Sequence, residues 1–140
     1  MIHARVSMAY STAWLRRSGA RSTPSGNWLD FDAHAPAFSR CIDMHTKDAR
    51  AIGETEHRLY SLPAWRATPY FTDRERAALA FTEAVTLLAD DHVPDEAFEA
   101  VSSAFDVPEV AALLSLVVTI NAWNAAGVSA HAWVSSTYER

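Results

Sequence analysis

The chain of 140 residues has a single cysteine, Cys41. An internal disulfide is therefore excluded. A free thiol or a bridge to another molecule remains, and that usage fits a reducing, cytoplasmic setting. Long apolar runs are also lacking. The longest, from Val110 to Ile120, is too short to span a bilayer and carries Ser115 and Thr119. No membrane partner is expected on that ground. No apolar segment follows the early basic residues, so no secretory signal is expected. A surplus of positive charge is missing too. The net charge of −5 argues against nucleic acid as a partner. No stretch alternates with the two-residue period of a strand.

What is present is the balance of a globular chain, 49% hydrophobic and 21% charged. The length is that of one domain. The charge is unevenly spread. Residues 1–40 hold five arginines against Asp30 and Asp32, whereas residues 41–140 hold seven basic and fifteen acidic residues. The shift divides the chain into an atypical, poorly packed segment over 1–40 and a helical domain over 41–140. Within the first segment, Ser18-Gly19 and the run Ser22 to Asn27 are breakers, and Pro36 is a further interruption. A short amphipathic helix over about Val6 to Arg17 is the only element expected there. Its arginine- and serine-rich composition loosely matches a transit peptide, with unstructured chain the stronger reading.

From Arg40 the helix signals sharpen. Cys41 to Ile52 is expected as a helix with Gly53 just past its end. Thr55 is placed to cap a short helix that Pro63 would stop. Residues 64–71 form a connector. Thr72 and Glu75 have the spacing of a capping box, and the helix they open carries a wide apolar stripe from Ala77 to Leu88. A fourth helix is expected over Asp95 to Phe105. Asp106, Pro108 and Glu109 open a fifth, to about Ala126, that is apolar nearly all round. Gly127 would end or kink it before a last piece containing Trp133. The fold class is all-α, built from short antiparallel helices. A helix apolar on every side exceeds what so short a chain can cover, so a homo-oligomer is expected.

Chemistry concentrates at Cys41 and His45. Positions i and i+4 share one helix face. A thiol and an imidazole so placed can share a proton, and the thiolate is the reactive form. A helix starting at Cys41 would add the favourable end of its dipole. Two ligands are too few for a metal, and no cofactor is expected. Glu83, among apolar residues, is a candidate base facing the thiol or else a member of an ion pair. Asp43 and Lys47 are expected as an exposed pair one turn apart.

The run from Cys41 to Arg50 closely resembles the core of alkylhydroperoxidase D-like (AhpD-like) proteins of the carboxymuconolactone decarboxylase superfamily. The likeness continues through Gly53 to Glu56, Arg58 to Tyr60, Leu62 to Arg66, Thr72 to Leu79, Glu83 to Thr86, His92 to Asp95 and Ile120 to Asn124. It implies an orthogonal helical bundle, oligomeric assembly and a hydroperoxide reductase served by a thiol reductant. Cys41 matches the second cysteine of the family's Cys-x-x-Cys pair, and His45 its histidine. The first cysteine falls on Phe38 and the relay glutamate on Gly26, so the motif is incomplete. The break coincides with the composition boundary, and a shifted reading frame upstream would account for it. The resemblance leaves three readings: a one-cysteine hydroperoxide reductase, a non-redox lactone decarboxylase using His45 and Arg58, and a non-catalytic helical oligomer.

Overall fold

The structure is a computed structural model, in which residues 35–89 and 92–130 are described. Among them the chain is all-helical. It comprises α1 (Ala35–Ala51), α2 (Glu56–Ser61), a 3-10 turn (Leu62–Ala67), α3 (Asp73–Thr86), α4 (Asp95–Ala104) and α5 (Val107–Ser129). The expected N-terminal helix, Asp30, Asp32 and the piece around Trp133 lie outside the described residues.

Helix α1 begins six residues earlier than its sequence signals suggest and runs unbroken across residue 40. Pro36 does not interrupt it, because it sits in the first turn, where an amide hydrogen has no partner to lose. The other end follows expectation. Gly53 adopts a φ of 95°, which an L side chain rarely tolerates. The Glu54 N–H then donates to the Ala49 carbonyl at 2.9 Å and the Gly53 N–H to Arg50 at 3.0 Å. These two bonds form a Schellman motif.

Thr55 occupies the N-cap position of α2 without a side-chain capping bond, and α2 ends at Ser61, just before Pro63, as expected. Pro63 then stands in the first turn of the 3-10 element, and a non-helical Ala64 marks the kink. A single arginine holds this region down. Arg76 of α3 donates to the carbonyls of Phe71 and Trp65, each at 3.1 Å, of Arg66 at 3.3 Å, and of Thr68.

The next two starts are chemically explicit. The Glu75 N–H donates to Thr72 Oγ1 at 3.3 Å, and the Thr72 N–H donates back to Glu75 Oε2 at 2.9 Å. Helix α5 opens the same way with an aspartate. The Glu109 N–H donates to Asp106 Oδ1 at 2.8 Å, and the Asp106 N–H to Glu109 Oε2 at 3.0 Å. Each box satisfies two amides that the first turn would leave bare.

Helix α3 lies between two apolar clusters. Leu79 joins Ala49, Leu59, Leu62, Trp65 and Phe71 in one. Ala78 and Phe81 join Val101, Phe105, Leu113 and Val117 in the other, binding α3 to α4 and α5. Arg74 pins the same corner: it donates to the Ala104 carbonyl at 2.7 Å and to Glu109 at 2.6 Å, while its guanidinium lies 4.0 Å from the Phe105 ring centre.

Helix α5 passes through Gly127 without ending. A glycine weakens a helix by only about 1 kcal/mol, and tertiary packing overrides that. Leu113 and Val117 are buried against α3 and α4, while α1 packs on α5 as well. Elsewhere around the helix Leu114, Val118 and Trp123 are exposed, Val118 at 52% and Trp123 at 60%. Val107–Gly127 is long and apolar enough to cross a membrane by length and composition alone, although it carries Ser115 and Thr119. Their hydroxyls donate to the carbonyls of Ala111 and Ser115, one turn back.

Candidate active site

Cys41 and His45 sit on one continuous helix, one turn apart. The expected spacing is therefore realised in the backbone. The expected dipole assistance is not. Cys41 is the seventh residue of α1, and a helix end acts only over its first turn. Along α1, His45 is the titratable residue at the position that shares the Cys41 face. The imidazole belongs to the packed side of α1: His45 is 9% exposed, and Ala49, one turn further on, is 1% exposed. The outer face of α1 carries the Asp43–Lys47 pair at 2.9 Å, as its spacing implies. Phe38 occupies the position one turn before Cys41 in the same helix. Gly26 lies outside the described residues.

Two residues weighed for chemistry turn out to be engaged elsewhere. Glu83 holds the 3-10 turn onto α3: its carboxylate accepts from Trp65 Nε1 at 3.3 Å and from Arg66. The Arg66 guanidinium in turn lies 4.2 Å from the Trp65 ring centre. That is the ion-pair alternative. Glu83 also borders a shallow groove of about 280 Å³ with Arg66, His92 and Leu87.

Arg58 was the candidate anchor for a carboxylated substrate. It lies 2.9 Å from Glu54 and 2.7 Å from Glu75, donates to the Tyr70 carbonyl, and rests 4.9 Å from the centre of the Phe71 ring. A cation shared by two carboxylates and a carbonyl has little left for a ligand. Its partners lie as far as 17 residues away, so no local signal announces them.

Sequence reasoning passed over a set of polar residues on the inner faces of α3 and α5. Thr82 and Asn124 are fully buried, and Thr86 and Asn121 are half-buried. Each is a lone polar position in an apolar helix, which periodicity reads as noise. Among the described residues no three histidine, cysteine or carboxylate groups gather as a metal site would require.

Comparison with known proteins places this geometry. Residues 39–84, which contain Cys41, His45 and the capping box, match the Carboxymuconolactone decarboxylase family. An uncharacterized protein of Bacillus subtilis, YdfG, is 43% identical over 84 residues, which is 60% of this chain. The chain spans 57% of that relative's length. A crystal structure from Agrobacterium tumefaciens superposes with a TM-score of 0.71 at 25% identity, covering 96% of this chain and 77% of the other. That protein is of unknown function and has been suggested to be the antioxidant defence protein AhpD. The segment bearing Cys41, His45 and the capping box thus matches the carboxymuconolactone decarboxylase family, and the helical fold is AhpD-like.

Proposed function

We propose that the protein is a thiol-dependent hydroperoxide reductase that works with one cysteine. The observation that carries this reading is a histidine held on the packed face of α1 one turn after the only cysteine, inside the segment that matches the family. A protonated His45 favours the Cys41 thiolate. The thiolate attacks the terminal oxygen of a hydroperoxide. An S–O bond forms, the O–O bond breaks, and the departing alkoxide takes a proton, for which His45 is the donor at hand. Sulfur is oxidised to a sulfenic acid, and the hydroperoxide is reduced to an alcohol.

With Phe38 where a second cysteine would stand, the sulfenic acid is resolved from outside. One small thiol condenses with it, releasing water, and a second thiol opens the mixed disulfide. A reducing cytoplasm supplies such thiols. Dependence on an external resolving thiol makes this enzyme slower than a two-cysteine relative. The engagement of Arg58 by Glu54 and Glu75 counts against lactone decarboxylation, which needs a cation free for the substrate's carboxylate. A non-catalytic oligomer is the outcome if Cys41 proves unreactive.

The protein is also proposed to act as a homo-oligomer. From Val110 to Gly127 the chain has no charged residue, although Leu114 and Val118 face outward. An uncharged face can meet its own copy without like-charge repulsion.

The test is hydroperoxide consumption by the purified protein with a small-thiol reductant, alongside Cys41→Ser. Turnover that vanishes in the variant supports the reading. Turnover unchanged by the substitution, or absent from folded wild type, removes it.

A further inference from the structure

Two grooves border α3, and their arginines differ in how much of the guanidinium fork is already committed. The larger groove, of about 470 Å³, is lined by Arg74 and Arg76. Arg76 gives its fork to four carbonyls. Arg74 donates to the Ala104 carbonyl and to Glu109, and lies over the Phe105 ring. Cations so engaged have little left for a ligand. The smaller groove, of about 280 Å³, is lined by Arg66, and its cation is differently placed.

Arg66 is held without being used up. Its Nη1 donates to Glu83 Oε2, and its guanidinium lies over the Trp65 ring. Glu83 is fixed in turn by the Trp65 Nε1–H at 3.3 Å. Arg58, shared by two carboxylates, is 20% exposed. Arg66 serves one carboxylate, through one of its nitrogens, and is 51% exposed. A guanidinium has further N–H groups in the same plane, and a carboxylate can take two of them side by side. A cation already oriented also loses little freedom when a ligand arrives. Beyond Arg66 and Glu83 the groove is largely apolar, with Ala84 and Leu87 of α3 facing Pro94 and Ala97 at the start of α4.

We propose that this groove is a binding site for a small monocarboxylate with a short apolar body. The carboxylate takes the outer N–H groups of Arg66, and the body lies across Ala84, Leu87 and Ala97. A single negative charge is what the site suits. It offers one cation with donors to spare, and Glu83 beside it opposes a ligand that carries two charges. An amine is disfavoured, because Glu83 already accepts from Arg66 and Trp65 and its side chain is only 14% exposed. The site does not depend on the reductase reading.

Titration of the full chain with hexanoate, followed by amide NMR, tests it. Hexanol and hexylamine serve as probes of the same body without the carboxylate. Hexanoate is expected to give saturable shifts centred on Arg66, Ala84 and Ala97, with hexanol and hexylamine weaker on the order of ten-fold, the worth of one charge-assisted bond. Arg66→Gln should weaken hexanoate by a similar factor. Arg66→Lys should recover part of the affinity, since it restores the charge and not the fork. Ala97→Leu fills the groove and leaves the Arg66–Glu83 pair intact, so it should weaken hexanoate and hexanol alike. That variant keeps the test alive should Arg66→Gln fail to fold, and each variant's own spectrum reports its fold. Unchanged spectra, or shifts centred elsewhere, would overturn the proposal. Equal affinity for hexanoate and hexanol would overturn it too, as would wild-type affinity in folded Arg66→Gln or Ala97→Leu.

Discussion

Replacing Arg58 with methionine keeps the length of the side chain and removes its charge. In the folded protein Arg58 lies between Glu54, whose side chain is 6% exposed, and Glu75, and it also donates to the Tyr70 carbonyl. The substitution therefore deprives a nearly buried carboxylate of its cation and leaves a carbonyl without its donor. Removing one member of a buried ion pair costs about 3–5 kcal/mol. Arg58 retains some contact with solvent, which brings the expectation to about 2–3 kcal/mol. At this chain length that is roughly 6–10 °C in melting temperature. Glu54→Gln alone should cost about 1 kcal/mol. The double variant should be no less stable than Arg58→Met, because its uncompensated charge is gone. Urea unfolding followed by far-ultraviolet circular dichroism reads all three. A loss under about 0.5 kcal/mol for Arg58→Met, or strictly additive effects in the double variant, would refute the assignment of Arg58 to the fold. Arg58 would then return as a candidate for binding a substrate carboxylate.

Further expectations follow from the same geometry. Gly53→Ala should cost about 1–2 kcal/mol in urea unfolding, and the cost is that of the left-handed backbone alone, since nothing lies within 4 Å of the added carbon. Thr72→Ala should cost about 1 kcal/mol by the same measure, for the lost cap of α3. On α5, Val117→Glu should prevent folding, since it buries a charge between α3 and α4. Its neighbour Val118→Glu should leave the helix content intact and shift the protein to a smaller species in light scattering. A folded Val118→Glu protein of unchanged mass would reject that face as the contact between copies.

Much of the fold is legible in the sequence where its cause is local. Thr72 with Glu75, Asp106 with Glu109, and Gly53 each place a helix boundary within a few residues of the chemistry responsible. The misreadings share a different cause. Pro36 looks like a stop, yet proline is harmless in a first turn, and which turn it occupies depends on packing that no short window contains. Gly127 looks like an end, yet α5 continues through it because other helices cover its inner face. The active site divides the same way. The spacing of Cys41 and His45 is visible at once. The roles of Glu83 and Arg58 are not, because their partners lie elsewhere in the chain.

The four carbonyls gathered by Arg76 have a consequence for how this protein can be altered. Surface connections are ordinarily where residues can be added without harm. The segment from Trp65 to Phe71 is an exception. Its carbonyls are spaced to fit one planar guanidinium, and an extra residue anywhere between them would change that spacing. A tag, a cleavage sequence or a fused domain placed there would dislodge the turn that carries Trp65 and loosen the cluster beneath it. That connection is of fixed length, and lysine, with one compact charge in place of a planar fork, could not keep it so.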